Sequence, residues 1–437
     1  MSTGDKKVRL SDKTRSVKSL FSFWLIRFMT WPIALLPYHA IHRLGKIGGF
    51  IAFYLLSSYR KRCLSNLSLA TDLHLTNEEI RKIAIESMQN LLLTCLEYAK
   101  LAKEKKITNI AVCENPAMAN KLIQGGTPPI FFCGHQANWE VLFLEGSSRM
   151  PGVAIGRPVK NKFLYDWIVS IREKFGGKII KPQNAIREGL RALKKGAFLG
   201  IVGDQGMPNS GFSSDFFGRL AWTSPIPAIL AYRTGCPILV ASTIRKDGAY
   251  VIHYSDPIWP RKHVPMEQEI DHMMKQALHL LEESIKQAPG QWLWSHNRWK
   301  QQTPEKLKKK FRYESILIIL PKEDGLLDPL LPYLESFREI YPLEFITLLA
   351  PHSLKGRTLI SAAEQIAYSS DEELFVKDFR FKLIFNFSKV KNIRSHFLKL
   401  SAFEVFTLKD LRKIAHCSND ENFDALLKKA CRRPDAL

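Results

Sequence analysis

The chain has 437 residues, 46% of them hydrophobic and 24% charged, which excludes an intrinsically disordered protein and allows a large buried core. This length predicts two or three domains. The net charge of +22 predicts an acidic partner, which could be an anionic lipid, an acidic carrier protein or a nucleic acid. Nucleic-acid binding is disfavoured, because no paired Cys/His zinc spacing occurs and the basic residues are scattered rather than confined to one stripe.

The seven cysteines are odd in number and lie far apart in the sequence: Cys63, Cys95, Cys113, Cys133, Cys236, Cys417 and Cys431. Several lie in apolar runs, which is typical of cysteines that serve as small buried hydrophobic side chains. We therefore predict a reducing compartment, with neither a disulfide framework nor a metal cluster.

The N-terminal part of the chain is basic and then strongly hydrophobic. Residues 1–19 predict a juxtamembrane polybasic arm or a solvated terminus, and the sequence leaves both open. Residues 20–59 are the most hydrophobic stretch, but Arg27 interrupts it and Pro32 and Pro37 would kink a helix. We predict a membrane anchor that is embedded in one leaflet or only marginally spans the bilayer. A pair of buried helices in a soluble fold is the alternative.

Two helices are predicted before the central part of the chain. The capping box Thr76-Asn77-Glu78-Glu79 opens the first, which carries apolar residues as far as Ala99 on one broad face. Asn115-Pro116 starts the second, because proline suits the first position of a helix, and Gly125-Gly126 ends it. The first helix is therefore expected to cover a hydrophobic core.

His135 follows a short apolar run, and Glu140 comes five residues later. The run is bounded by prolines and a glycine, which predicts a buried strand over residues 129–133. Asn138 can cap a helix over residues 139–144, so His135 is expected in the turn with Glu140 folding back towards it. A carboxylate there would fix the imidazole tautomer and let His135 act as a general base. A lone H-x-x-x-x-E match could equally be structural.

Strands and helices alternate after this point, which is typical of an α/β fold with a largely parallel central sheet. Asp247-Gly248 predicts one antiparallel hairpin within it. The predicted strands cover residues 129–133, 153–156, 178–180, 197–202, 238–244 and 250–255. The predicted helices cover residues 139–144, 162–174, 184–195, 225–233 and 266–287.

Three polar residues follow the carboxyl ends of predicted strands: His135, Arg157 and Asp204. Because ligands bind beyond those ends in α/β sheets, we expect the three side chains to converge on one crevice if their strands are neighbours. Asp204 could instead cap a turn, and Arg157 could simply pair with it. Arg172 lies on a predicted helix and is placed less firmly by the pattern.

Five motifs along residues 20–303 resemble, in order and spacing, those of the late acyltransferases of lipid A biosynthesis, the lauroyl/myristoyl transferase family of Gram-negative bacteria. They are H-Q-A-N-W-E at 135–140, R-P-V-K-N at 157–161, D-Q at 204–205, F-F-G-R at 216–219 and P-G-Q-W-L-W-S-H-N-R-W-K at 289–300. Five motifs in register are far more specific than one. Pro289-Gly290 stands where the family usually has Pro-Glu, which affects local structure only, since no candidate catalytic group is lost.

The resemblance implies a glycerol-3-phosphate-acyltransferase-like mixed sheet flanked by helices. It implies an enzyme anchored in the bacterial inner membrane, with its active site facing the cytoplasm. The implied reaction transfers a fatty acyl chain from acyl carrier protein to the hydroxyl of a 3-hydroxyacyl group on a Kdo-bearing lipid A precursor. No metal or cofactor is implied beyond the carrier-bound acyl chain as co-substrate, and the expected partners are acyl carrier protein, the lipid A precursor and inner-membrane lipids.

The matching motifs also imply roles for individual residues. His135 and Glu140 match the family's catalytic dyad, with His135 as the general base oriented by Glu140. Arg172 and Asp204 match two further active-site residues, and Arg172 or backbone amides after the strand could stabilise an oxyanion. The residues expected to bind substrate are Arg157, Asn161, Gln205 and Arg219. A small-residue loop over 206–214 is compatible with a substrate entrance or with an ordinary surface loop.

A C-terminal extension follows, which the acyltransferase family normally lacks. Residues 304–313 are a charged linker, and residues 314–437 predict a small Rossmann-like accessory domain without catalysis of its own. Its predicted strands cover residues 315–320, 343–349 and 381–387, and a predicted helix covers 326–340. The extension faintly resembles the first half of heptosyltransferase-type glycosyltransferases, but the sugar-nucleotide half has no room. The predicted domains are therefore residues 1–19, 20–59, 60–303, 304–313 and 314–437.

Two alternatives to the lipid A reading stay open. The same motifs would suit an acyltransferase of the same superfamily that acts on another glycolipid, such as a phosphatidylinositol mannoside. A non-catalytic membrane scaffold, with the C-terminal domain as its working part, is the alternative from another class. The intact set of His135, Glu140 and Asp204 argues against the scaffold.

Overall fold

The computed structural model describes residues 3–301, 309–417 and 421–432, with helices packed on sheets of mainly parallel strands. Residues 1–2 of the predicted basic arm and residues 304–308 of the predicted linker lie outside the described residues, as do the side chains of residues 3–16. The α-helices are α1 (Thr3–Thr30), α2 (Tyr38–Leu55), α3 (Ser57–Leu69), α4 (Asn77–Leu101), α5 (Pro116–Gln124), α6 (Glu140–Arg149), α7 (Lys162–Arg172), α8 (Ala185–Lys194), α9 (Ile226–Thr234), α10 (Met266–Gln287), α11 (Asp324–Leu327), α12 (Ser336–Ile340), α13 (Ile393–Leu400), α14 (Leu408–Ala415) and α15 (Phe423–Cys431). The strands are β1 (Ala111–Cys113), β2 (Ile130–Cys133), β3 (Gly152–Ile155), β4 (Lys178–Ile180), β5 (Phe198–Val202), β6 (Ser213–Phe216), β7 (Arg219–Trp222), β8 (Ile238–Lys246), β9 (Ala249–Tyr254), β10 (Ser315–Ile319), β11 (Phe345–Pro351), β12 (Glu364–Tyr368), β13 (Leu383–Asn386) and β14 (Glu404–Thr407).

The chain divides into two compact units, each assembled from segments that are distant in sequence. The first unit contains Met1–Ala52, Ile85–Asp204 and Ser224–Leu293. The second unit contains Phe53–Ala84, Gln205–Thr223 and Trp294–Leu437.

The first unit is built on a seven-stranded sheet in the order β1-β9-β8-β2-β5-β3-β4. All neighbouring strands run parallel except the hairpin β8–β9, so the predicted largely parallel sheet with one antiparallel pair is confirmed. The apolar run that forms β2 is buried at every position, as a central strand requires. Strands β2, β5 and β3 are neighbours, which was the condition for their carboxyl ends to share one crevice.

The second unit contains a five-stranded parallel sheet in the order β12-β11-β10-β13-β14 and the antiparallel hairpin β6–β7. Three of its parallel strands were predicted, whereas β12, β14 and the last three helices were missed. The predicted helix over residues 326–340 was wrong. It is instead α11, a 3-10 turn (Leu331–Tyr333) and α12, because Pro329 and Pro332 interrupt a continuous helix.

Helix α1 carries large apolar side chains that are exposed, including Phe21 (70%), Trp24 (62%) and Phe28 (80%). Helix α2 likewise exposes Ile47 and Ile51. Among the described residues, no helix combines the length and apolarity needed to cross a membrane. The finding bears on the predicted anchor over residues 20–59 only in that a spanning helix is not observed there.

Candidate active site

His135 lies in the turn between β2 and α6, two residues beyond the end of β2. The parallel register pairs Cys133 with Val202 at the ends of β2 and β5, so the same register brings His135 beside Asp204 two residues further on. A side chain at Gly134 would not fit, because its Cβ would approach Asp204 Oδ2 to 3.0 Å. The glycine therefore allows the imidazole and the carboxylate to meet.

The Asp204 carboxylate is fully buried and accepts hydrogen bonds on both of its oxygens. His135 Nδ1 lies 2.6 Å from Oδ1, and the His135 backbone N–H donates to Oδ2 at 2.7 Å. Trp292 Nε1 also donates to Oδ2, at 2.7 Å. Because an ionised carboxylate can only accept, Nδ1 carries the proton of the histidine bond, and Nε2 is the basic nitrogen of the neutral ring.

Glu140 does not occupy the position that the sequence predicted for it. The carboxylate bonded to His135 Nδ1 is that of Asp204, whereas Glu140 receives Arg172 Nε at 2.7 Å and Nη2 at 2.5 Å. Trp139 lies between His135 and Glu140, with its ring 4.6 Å from the imidazole and its Nε1 donating to Glu140 Oε1 at 3.1 Å. Sequence proximity favoured the wrong partner, because Glu140 begins α6 and points towards α7.

The ion pair of Glu140 and Arg172 holds a charged arginine in a largely buried place. Burial alone would raise the pKa of Glu140, but the charge and hydrogen bonds of Arg172 outweigh it and bring that pKa below its ordinary value. The same pairing raises the pKa of Arg172 against the opposing effect of burial. Burial and the Glu140 charge raise the pKa of Tyr98, whose hydroxyl accepts from Arg172 Nη2 at 3.3 Å. Arg172 is therefore a permanent cation.

Gly156 allows Arg172 to reach this place, because a Cβ there would lie 3.3 Å from Arg172 Nη1 and 2.6 Å from Ile179 Cγ2. The glycine stands directly after β3, so the close approach is made at the carboxyl edge of the sheet. The second carboxylate–cation pair thus lies on the same edge as His135 and Asp204.

A buried polar stripe on α4 holds the turn that carries His135. Its members recur at helical spacing and are Ser87, Asn90, Thr94 and Glu97. Asn90 and Thr94 both donate to the carbonyl of Ala137, at 3.0 Å each. Ala137 has a left-handed φ of 45°, which is unusual for a residue with a Cβ and requires such support.

Glu97 holds the remaining part of the turn. Its Oε2 accepts from Asn138 Nδ2 at 2.8 Å and from the Tyr250 hydroxyl, and its Oε1 bonds His42 Nε2 at 2.8 Å. Asn138 Oδ1 in turn accepts the backbone N–H of Glu140 at 3.3 Å. Sequence reasoning missed Glu97, although a carboxylate within an apolar helix is a signal of a buried polar network.

The motif over residues 289–300 fastens the same turn from the other side. The Leu293 N–H donates to the carbonyl of His135 at 3.0 Å, and the Gln291 carbonyl accepts from the Ala137 N–H at 2.7 Å. Ser87 Oγ donates to the Trp292 carbonyl at 2.6 Å. The sequence identified this motif but assigned no role to Trp292, which the structure places on Asp204.

Two of the predicted substrate-binding residues lie near α7. Asn161 Oδ1 caps this helix by accepting the Leu164 N–H at 3.1 Å. Its Nδ2 donates to the Ser19 carbonyl at 2.8 Å and to Ser22 Oγ at 2.9 Å, both on α1. Arg157 is exposed just beyond β3. Asn161 thus links α1 to α7, and a substrate contact for either residue stays a prediction.

The other two, Gln205 and Arg219, belong to the second unit. The Arg219 guanidinium lies over the ring of Phe345, 5.0 Å from its centroid. Burial, with Arg380 adding to it, lowers the pKa of Arg219. Their proposed contacts with substrate likewise stay predictions.

A small apolar cavity of about 50 Å³ lies beside Trp139, lined among others by Phe131, Phe143 and Phe198. It has room for one or two water molecules and is too small, as it stands, for a fatty acyl chain. Cys133 also lines it, and burial with the nearby charge of Asp204 raises the pKa of its thiol, so this cysteine is unsuited to be a nucleophile. In the part of the chain that the structure describes, no group of three or more His, Cys, Asp or Glu could hold a metal ion.

The site combines a histidine whose basic nitrogen is fixed by a buried carboxylate with an arginine fixed by a second carboxylate. Such an arrangement can remove a proton from a nucleophile and stabilise negative charge on the group under attack. These are the requirements of an acyl-transfer enzyme.

Comparison with known proteins agrees with this class. The profile of the family described as bacterial lipid A biosynthesis acyltransferase matches residues 10–301, and the chain therefore belongs to that family, as the motifs predicted. The chain is 24% identical over 292 residues to the lipid A biosynthesis palmitoleoyltransferase of Escherichia coli K12, which covers 64% of this chain and 92% of that protein. The same figures hold for the lipid A biosynthesis acyltransferase of Shigella flexneri.

Proposed function

We propose that the protein transfers a fatty acyl chain from acyl carrier protein to the hydroxyl of a 3-hydroxyacyl group on a Kdo-bearing lipid A precursor. Family membership and the names of both relatives support a role in lipid A acylation. The observation that carries the chemical part of the proposal is the bond between His135 Nδ1 and Asp204 Oδ1. It fixes the ring so that Nε2 is the atom that takes a proton.

In this mechanism His135 Nε2 removes the proton of the acceptor hydroxyl as its oxygen attacks the thioester carbon. Asp204 holds the ring orientation and stabilises the imidazolium that forms. The tetrahedral intermediate then collapses, the carbon–sulfur bond breaks, and the imidazolium returns its proton to the departing thiolate. A new ester and the free thiol of the carrier result, and no redox partner is required.

Arg172 is the proposed stabiliser of the oxyanion that forms on the thioester carbonyl. Its two bonds to Glu140 keep the guanidinium charged and in one orientation. A donor fixed in this way contributes roughly 3 kcal/mol to the transition state. Glu140 therefore acts through Arg172 in this proposal, and Asp204 takes the role that the sequence had given to Glu140.

We further propose that α1 and α2 embed the protein in the cytoplasmic leaflet of the bacterial inner membrane, with the active site facing the cytoplasm. The exposed apolar side chains of α1 support this, since a helix with such a face binds in the plane of the bilayer interface. Replacement of Phe21, Trp24 and Phe28 by serine is expected to abolish flotation with anionic vesicles. Retention of full flotation would contradict this part of the proposal.

We also assign the first unit to the glycerol-3-phosphate-acyltransferase-like folds and the C-terminal sheet to the Rossmann-like folds. The order β12-β11-β10-β13-β14 with all strands parallel supports the second assignment, because it reverses direction at its first strand as doubly wound sheets do.

The test is transfer of labelled acyl chain from acyl carrier protein to a Kdo-bearing tetra-acyl lipid A precursor, with mass spectrometry of the product. We expect transfer by the wild type and a fall of about a hundredfold or more with His135→Ala, the usual scale for loss of a general base. Transfer only to other glycolipids would replace the proposed acceptor. Failure of the wild type with every acceptor and several acyl lengths would favour the non-catalytic scaffold.

A further inference from the structure

The C-terminal extension lies beyond the family match, which ends at residue 301. Within the second unit it packs with segments that do belong to the match, namely Phe53–Ala84 and Gln205–Thr223. The extension therefore has an internal partner within its own unit, and the contacts between them can be examined residue by residue.

Lys382 is the centre of these contacts. It stands directly before β13 and is 1% exposed. Its Nζ donates to the Glu314 carboxylate within the extension, to Asn66 Oδ1 at 3.1 Å and to Asn297 Oδ1 at 3.3 Å. An ammonium group has three protons and no acceptor, so these three partners fill its bonding capacity. Two of the three lie in the family region.

Asn66 passes this contact on to the motif over residues 289–300. It lies on α3 and is fully buried. Its Nδ2 donates to the Trp294 carbonyl at 2.7 Å and to the His296 carbonyl at 2.5 Å, while its Oδ1 accepts from Lys382. Without the extension, the oxygen of this buried amide would lose the ammonium group that donates to it.

Backbone carbonyls of the extension complete the contact with α3 and with the start of α4. Ser65 Oγ donates to the Arg380 carbonyl at 2.7 Å, and Lys61 Nζ donates to the Ala402 carbonyl at 2.7 Å. Asn77 Nδ2 donates to the Lys377 carbonyl at 2.8 Å. A surface of the family region thus gives its donors to three separate loops of the extension.

We propose that the extension is a permanently docked part of the transferase, whose buried Lys382 fastens the family region through Asn66 and Asn297, and not a separable accessory domain. A buried ammonium is costly to desolvate, so its partners must be present together in the folded protein. Removal of the extension would leave buried polar groups of the family region unpaired, and each unpaired group is costly.

The test cuts the folded chain between the two parts. A protease recognition sequence replaces residues 303–307 in the full-length protein, and after complete cleavage the fragments are examined by size-exclusion chromatography. We expect them to elute together in 1 M salt. Separate elution of the wild-type fragments would overturn the proposal. The readout is association, so its outcome is independent of whether the proposed acyl transfer is right.

A matched pair of double variants isolates Lys382. Lys382→Met with Glu314→Gln removes the bonds to Asn66 and Asn297 without leaving an unpaired buried charge in the extension. Lys309→Met with Glu344→Gln makes the same change at the other buried pair of the extension, Lys309–Glu344. We expect at least about tenfold weaker association of the cut fragments for the first variant only, the scale of one charged hydrogen bond or more. Equal association for both variants would refute the role of Lys382.

Discussion

The assignment of Asp204 as the residue that orients His135 can be tested with Asp204→Asn. The substitution keeps the volume of the side chain, but one carboxylate oxygen becomes an NH2 group that cannot accept a hydrogen bond. The wild-type carboxylate accepts from His135 Nδ1, from the His135 N–H and from Trp292 Nε1, all within 2.7 Å. An asparagine can satisfy these donors only if the histidine changes its tautomer, which moves the proton to Nε2.

The same substitution in a Ser-His-Asp triad lowers kcat by about 10⁴ while the geometry stays intact. We expect a fall of that order here, measured as acyl transfer per enzyme under saturating donor. Glu140→Gln is the matched variant, because it also exchanges a buried carboxylate for an amide. Glu140 bonds Arg172 and not His135, so we expect the smaller loss of about 10² that follows a weakened oxyanion donor.

The two variants make the reasoning refutable. If Glu140→Gln cost about 10⁴ and Asp204→Asn less than about tenfold, Glu140 would be the orienting carboxylate and the assignment would be wrong. A second check combines each variant with His135→Ala. Residues that act as one unit are non-additive, so Asp204→Asn should cause no further loss in the His135→Ala background, whereas Glu140→Gln should still cause one.

Two further predictions follow from the contacts of the site. Trp292→Phe removes a donor from Asp204 and should lower kcat about tenfold or more, whereas Trp299→Phe, which removes a buried indole N–H that has no partner among the described residues, should not; equal effects would deny Trp292 its positioning role. The pKa of Glu140 lies below its ordinary value of 4.5, so its pairing stabilises the folded state above that pH and the stabilisation is lost as the pH falls through the lower, folded value. The stability difference between wild type and Glu140→Gln in urea should therefore shrink from about pH 7 to about pH 3, and an unchanged difference would contradict it.

Most of the first unit could be predicted from sequence because its strands are short apolar runs bounded by glycine and proline. The strand that ends at Cys133 is an example, since every position in it is buried and its end fixes where His135 must lie. The partner of His135 could not be predicted, because it depends on which strands are neighbours and in which register. Only the pairing of Cys133 with Val202 makes Asp204 the residue opposite His135.

The supporting residues were missed for a different reason. Ser87, Asn90, Thr94 and Glu97 lie on a helix whose apolar residues suggested ordinary packing against a core. Their regular spacing marks a polar stripe, but a sequence does not tell whether such a stripe faces water or a buried loop. Here it faces the turn of Ala137, and burial turns each polar group into an obligatory hydrogen-bond partner.

The extension shows how a charge within an apolar run can be more informative than composition. The charged stretch near residue 304 predicts a boundary in the chain, but it does not say which segments pack together. Lys382 stands between Phe381 and Leu383 in a run that is buried throughout. A lysine in such a place needs buried acceptors, and a single carboxylate uses only part of its three protons. The remaining acceptors had to come from elsewhere, and Asn66 and Asn297 of the family region provide them.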